Sequence, residues 1–350
     1  MGEKRSRLDY IDLLRVFALG YVICFHYLFS GISKGKIDSV SLSSFAPIAK
    51  YGYLGVELFF MISGFVILYS TNRTAGDFIR RRFLRLFPMF WMALILIYLV
   101  LLLPFWERST PPFTRLLWNF TMIPTAFGQD RIDETHWFLV RELQFYVFVA
   151  VVLAIGAGKF LPKILPVWAI ILCIWNLLNL PDFNIWYFSG YFSLITGGAI
   201  IYSIREWGWN RLRALGLLAA YVGAIDTRIS IIPVIESRRN TEYSATVIAI
   251  MVTAIFLIMM LTLWRSIDKF KVSWIGYAGA ITYPLYLIHG RLGGTFVQQF
   301  ANDGNKLLVY ALILLLFIGV ATLMLRLEKK VLLWKPFRII AGIRKDSAKN

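Results

Sequence analysis

The chemistry open to this 350-residue sequence rests on a few ionisable side chains set in long apolar runs. Arg15 and His26 share one such run, eleven positions apart. On a single α-helix that is about 16 Å of rise and about three turns, so guanidinium and imidazole lie on nearly the same face. Glu57 interrupts a second run, Arg141 and Glu142 a third with His136 just ahead of it, and His289 closes a fourth. An imidazole near its ordinary pKa of ~6.5 is a general base or nucleophile at neutral pH, and a carboxylate beside it fixes its tautomer and stabilises the imidazolium. Arg82 and Arg85 lie three apart, on one helical face. With Arg15 they form a guanidinium set suited to bidentate phosphate binding, and Asp12, one turn before Arg15, is placed to orient it. There is no serine nucleophile elbow, metal-ligand cluster or glycine-rich phosphate loop, which leaves acyl or proton transfer.

These groups need a scaffold, and composition names it. With 58% hydrophobic and only 16% charged residues, the chain has too little polar surface to cover a water-soluble globule of its size. The expected fold is an all-α polytopic integral membrane protein. Apolar runs place about ten transmembrane helices near 10–31, 52–70, 84–104, 136–157, 163–180, 184–204, 212–225, 243–264, 272–290 and 306–326. Residues 105–135 and 226–242, rich in Pro, Thr, Arg, Asp and Glu, read as extramembrane loops, with Phe113 to Phe127 either at the interface or dipping in. Residues 1–330 form one transmembrane domain and 331–350 a basic cytoplasmic tail. Lys4, Arg5 and Arg7 before the first run mimic a secretory signal, but Asp12, Arg15 and His26 interrupt it, so an uncleaved first span is expected. Cys24 and Cys173 both sit in apolar runs, so neither a disulfide framework nor a bound metal is expected.

Charge orients the spans. With both termini cytoplasmic, the basic residues Lys4 to Arg7, Arg73 to Arg85, Lys159, Lys163, Arg205 to Arg213, Arg265 to Lys271 and the tail from Arg326 to Lys349 all fall inside. That bias accounts for the net charge of +17 without nucleic acid, and it suits anionic membrane lipids or a polyanionic cytoplasmic ligand. The same topology brings His26, Glu57, Glu142 and His289, from four spans, to one layer near the outer boundary, with His136 and Arg141 just above. Arg15, Arg82 and Arg85 fall at the inner face. A charged side chain costs roughly 2.5–3.5 kcal/mol on a lipid-facing helix near the bilayer centre, so such groups face an interior or a wet cavity. Helix cohesion is the plain alternative, with Glu57 paired to Arg141 and Glu142 to a histidine. Gathering every histidine of the chain at one depth favours a site.

Five segments in order carry a resemblance. They are Leu8-Asp9-Tyr10-Ile11-Asp12 with Arg15 and His26, Gly52 to Phe65, Arg82-x-x-Arg85 before Leu86-Phe87-Pro88, Trp137 to Tyr146, and Ile281 to His289. Together, from about residue 8 to 325, they resemble the membrane-bound acyltransferase-3 family. The resemblance implies a ten-span enzyme that takes an acyl group, usually acetyl, from cytoplasmic acyl-coenzyme A. It passes that group to a hydroxyl of a carbohydrate, in an envelope polysaccharide, exopolysaccharide or glycolipid, at a bacterial inner membrane and with polysaccharide-synthesis machinery as a partner. It casts His26 as catalytic and Arg15, Arg82 and Arg85 as donor-binding. On the residues themselves, Glu57 or Glu142 orients His26, and His136, Arg141 and His289 stand where an acceptor glycan would bind. Trp137, Trp186 and Tyr187 could stack on sugar rings or form an interfacial belt. One departure is Phe138, where members commonly carry serine four residues before the glutamate. The competing class is a transporter of a lipid-linked sugar or a proton-coupled carrier, in which the same groups form a relay; no repeated halves support it.

Overall fold

The computed structural model describes residues 8–69, 74–104, 106, 110–178, 180 and 190–333. Lys4, Arg5, Arg7, Arg73, Trp186, Tyr187 and the tail beyond Leu333 lie outside them. The described residues form helices and turns with no strand. We number the helices α1 Asp9–Phe25, α2 Gly55–Tyr69, α3 Ala75–Leu101, α4 Trp137–Ala154, α5 Leu161–Leu177, α6 Tyr191–Trp207, α7 Arg211–Ser230, α8 Ile232–Arg239, α9 Ala245–Met260, α10 Ile275–His289, α11 Arg291–Phe300 and α12 Lys306–Leu333. Among the described residues eight helical stretches are long and apolar enough to cross a membrane. The expected spans at 184–204 and 272–290 correspond to the shorter α6 and α10, of 17 and 15 residues.

Local chemistry sets several helix starts. Thr74, Asn210 and Ser244 cap α3, α7 and α9 by accepting the amides of Asp77, Arg213 and Val247. Thr74 therefore starts α3 nine residues before the expected 84, so Arg80 to Arg85 are helical. The expected loop 226–242 is corrected: α7 continues to Ser230 and α8 follows at once, one stretch from Arg211 to Arg239. Its polar composition reads as a loop, but its backbone bonds are helical.

Packing puts α1, α2 and α6 at the centre. Every residue of α6 from Phe192 to Ile204 is buried, whereas α12 exposes Leu307, Leu308, Leu312, Leu315 and Leu323, as lipid contact requires. Helices α2 and α6 cross at backbone contact. A Cβ on Gly64 would sit 1.8 Å from the Ile195 carbonyl oxygen, and one on Gly198 1.9 Å from that of Met61. Small residues at such crossings let close dispersion contacts replace the hydrophobic drive that lipid removes. Gly198→Ala is expected to cost at least about 1–3 kcal/mol by overpacking, read as a lowered thermal midpoint in detergent. Gly52 and Gly55 similarly seat the approach to α2 against the Tyr21 and Ala18 carbonyls of α1. On the other flank of α1, Gly279 of α10 lies over Asp12.

Candidate active site

His26 stands where α1 changes its winding. Residues His26–Ser30 form a π-helical turn, with the Gly31 amide reaching back five residues to the His26 carbonyl. Such turns widen the helix and re-aim side chains, and they concentrate at functional sites. His26 borders a cavity of about 820 Å³ whose wall includes Tyr53, Glu57, Trp137, Arg141, Gln144 and Arg228. It also borders a second, of about 450 Å³, beside Asp133, Thr135 and Arg291.

Behind His26 lies His289, 0% exposed, with ring centroids 5.1 Å apart. The His289 Nδ1 lies 2.6 Å from the Tyr286 carbonyl oxygen. A carbonyl only accepts, so Nδ1 carries the proton and Nε2 is a bare lone pair, without a partner among the described residues. His136 is fixed in the opposite tautomer: its Nε2 donates to the Leu287 carbonyl at 2.9 Å. His136 is buried against Phe90. It ties the start of α4 to α10, and it does not border the larger cavity.

The acid at this site is Asp133, which sequence reasoning left among the loop carboxylates. It is 1% exposed and accepts the Thr135 amide at 2.8 Å, the Thr135 hydroxyl at 2.7 Å and the Arg291 amide at 2.6 Å. Burial pushes its carboxyl up, but His136, the Arg291 amide, His289 and Thr135 outweigh that and hold it below the usual carboxylate range. It therefore stays ionised, within electrostatic reach of both His26 and His289. The Tyr286 hydroxyl donates to the Thr135 carbonyl at 2.5 Å, locking the turn onto α10. Because the folded value is depressed, Asp133 contributes stability that is present above its unfolded value near ~3.9 and lost as pH falls below it. Asp133→Asn is expected to flatten the acid limb of thermal stability below about pH 4, measured by melting in detergent across pH.

The two glutamates fall apart. Glu57 borders the larger cavity and is 1% exposed, but its partner is Arg228 of α7, at 2.9 Å, and not Arg141. Arg228, 2% exposed, also lies 4.2 Å over the Tyr191 ring. Arg141 faces the cavity and donates to Gln144 at 3.0 Å. Glu142, one residue on and about 100° round the helix, points elsewhere: it accepts from the Ser63 and Tyr146 hydroxyls, not from a histidine. It belongs with the arginines, within electrostatic reach of Arg15, Arg82 and Arg85. Phe138 fills its position with apolar contact, 4.5 Å from the Phe60 ring and 5.7 Å from Tyr286.

That arginine cluster is the second half of the site. Arg15 pairs with the buried Asp12 at 2.8 Å, as its spacing implied. Arg82 is buried, its guanidinium 5.3 Å from the Phe78 ring and 5.1 Å from Tyr146. Arg85 is exposed, although its electrostatic neighbours Tyr146, Glu142, Tyr283 and Asp12 come from α4, α10 and α1. A guanidinium that is accessible yet has electrostatic neighbours on three other helices suits an opening among those helices and not a lipid face. The candidate site thus has two levels along α1, about 16 Å apart in rise: a cluster of the arginines Arg15, Arg82 and Arg85, and a group formed by His26, His289 and Asp133.

Comparison with known proteins gives one family match. The acyltransferase-3 family, described as an acyltransferase domain, matches residues 8–326, which spans every group named above. No curated protein and no solved structure matches the chain. Together with its apolar helices, that match places the chain in the acyltransferase-3 family, as a multi-pass membrane acyltransferase.

Proposed function

We propose that the protein moves an acyl group, acetyl in the simplest case, from acyl-coenzyme A to a hydroxyl of an envelope or extracellular carbohydrate, at the bacterial inner membrane. The observation that carries this reading is a cluster of arginines, Arg15 on α1 with Arg82 and Arg85 on α3, about three helical turns along α1 from a histidine that borders two cavities. Arg15, Arg82 and Arg85 hold the coenzyme A phosphates. The separation along α1 is one that an extended pantetheine arm spans, bringing the thioester toward His26. His26 takes the proton of the acceptor hydroxyl as its oxygen attacks the thioester carbonyl. The tetrahedral adduct collapses, the C–S bond breaks, and the leaving thiolate recovers the proton from the imidazolium. His289 abuts the ring and Asp133 lies within its electrostatic reach, and together they take the orienting role first assigned to Glu57 or Glu142. Arg141 binds the acceptor.

Transfer of label from radioactive acetyl-coenzyme A to glycan, in membrane vesicles supplied with envelope polysaccharide, tests the reading. Label in the glycan fraction only when the protein is present is the expected result. A carrier of lipid-linked sugar, the competing class, would be indifferent to the donor. In the same assay Arg85→Ala is expected to raise the KM for acetyl-coenzyme A by about ten- to a hundredfold, as loss of a charge-assisted phosphate contact of about 1.5–3 kcal/mol requires. An unchanged KM would remove Arg85 from the donor site.

A further inference from the structure

The larger cavity holds more positive charge than its carboxylates answer. Two ion pairs stand in its wall, Glu57 with Arg228, and Glu134 with Lys34 at 3.5 Å. Arg131, Arg141, Arg238 and Arg239 also line it, and among the described residues none of the four has a carboxylate partner within 4 Å. They come from the turn before α4, from α4 and from the end of α8, so no single run of basic sequence explains their convergence.

The cluster is also under mutual repulsion. Burial, and then Arg141, push the Arg131 guanidinium below its ordinary value. Arg239 lies within repulsive reach of Lys34. Buried N–H groups at Arg131 Nε and at Arg239 Nε and Nη1 lack hydrogen-bond partners among the described residues. Arg239 is held instead by the Phe25 ring at 4.9 Å and the Tyr53 ring at 5.7 Å, which orient its fork without using its donors. Like charges brought together with donors unspent are costly unless an anion joins them. The aromatic side chains of Tyr53, Trp137 and Tyr191 also line the wall, with the polar side chains of Thr125 and Gln144.

We propose that this cavity takes an acidic glycan, whose carboxylate or phosphate docks on Arg131, Arg141, Arg238 and Arg239 while a nearby sugar hydroxyl reaches His26. This deepens the acyltransferase reading above and rests on it for the role of the hydroxyl, but not for the binding of the anion.

The test is equilibrium binding to the full-length protein in nanodiscs of neutral phosphatidylcholine. Three β-glucan tetrasaccharides serve as probes: one carrying glucuronic acid residues, its carboxyl-reduced form, and that neutral form bearing phosphate monoesters. At least one acidic probe is expected to bind about tenfold or more tightly than the neutral one, with an affinity that falls as salt rises. The tighter of the two acidic probes identifies the anion. Arg131→Gln with Arg141→Gln is expected to erase the preference, and Arg131→Lys with Arg141→Lys to keep most of it, which separates lost charge from lost fold. Equal binding of all three probes, no binding of any, or a preference unchanged in the glutamine pair overturns the proposal. So does displacement of the acidic probe by coenzyme A, which would assign these arginines to the donor. Hydrolysis of acetyl-coenzyme A by the wild type is measured in parallel. Hydrolysis without acidic preference defeats this inference alone, whereas acidic preference without any use of the donor defeats the acyltransferase reading and leaves the anion site standing.

Discussion

His26→Ala is expected to lower turnover of acyl transfer by about 10³-fold, within the 10²–10⁴ that a positioned general base supplies. That corresponds to about 4 kcal/mol of transition-state stabilisation. The donor KM should stay within about threefold, because the proton acceptor acts only as the hydroxyl attacks and the donor phosphates are held elsewhere. His26 is only partly buried, and at the C-terminal cap of α1 it contributes its backbone amide and not its side chain, so truncating the ring leaves the packing of α1 in place. Turnover per mole of protein, after matching the melting profile to wild type, reads the effect. His289→Gln distinguishes positioning from chemistry. It keeps a donor for the Tyr286 carbonyl but removes the titratable ring that abuts His26, so it should shift the pH–rate profile before it abolishes the rate. A fall of less than tenfold in His26→Ala would return the imidazole to a structural role.

The largest expected effect on stability is at Glu57 and Arg228. Their side chains meet at 2.9 Å with 1% and 2% exposure, between α2 and α7. Removing one partner strands a charge in a low-dielectric interior, and broken buried pairs typically cost about 3–5 kcal/mol. Arg228→Met should therefore lower the denaturation midpoint sharply or reduce the folded yield. Glu57→Gln in the same chain should recover most of the loss, since the amide no longer needs a counter-charge. Recovery in the double variant shows that the penalty is electrostatic. An equally unstable double variant would assign it instead to the guanidinium's contact with the Tyr191 ring at 4.2 Å.

What the sequence disclosed was spacing along single helices, and what it hid was direction. Arg15 with Asp12, and His26 above them, were legible because one helix with known rise carries all three. Glu57, Glu142 and His289 are all buried on helices, but the expected shared layer did not say which face of a helix meets which neighbour, and Glu142 joins the arginines instead of His26. Arg141 and Glu142 differ by one position, and one faces the cavity while the other joins the arginines. Arg228 was missed because polar residues from 226 to 242 suggested a loop, whereas α7 runs on to Ser230 and carries it into the interior. Asp133 was missed for a different reason. Its burial comes from contacts with Arg291 and Thr135 around the end of α10, which no local pattern announces. The one available signal was its place three residues before His136, in a chain with only three histidines.

The central claim is that donor binding and proton transfer occupy separate levels of α1. The most direct test measures, for wild type, Arg85→Ala and His26→Ala, both the equilibrium affinity for acetyl-coenzyme A and the single-turnover rate at saturating donor. A crossed pattern is expected: Arg85→Ala loses affinity and keeps its rate, and His26→Ala keeps its affinity and loses its rate. If both variants lose the same quantity, the two levels are one site and the division of labour along the helix is wrong.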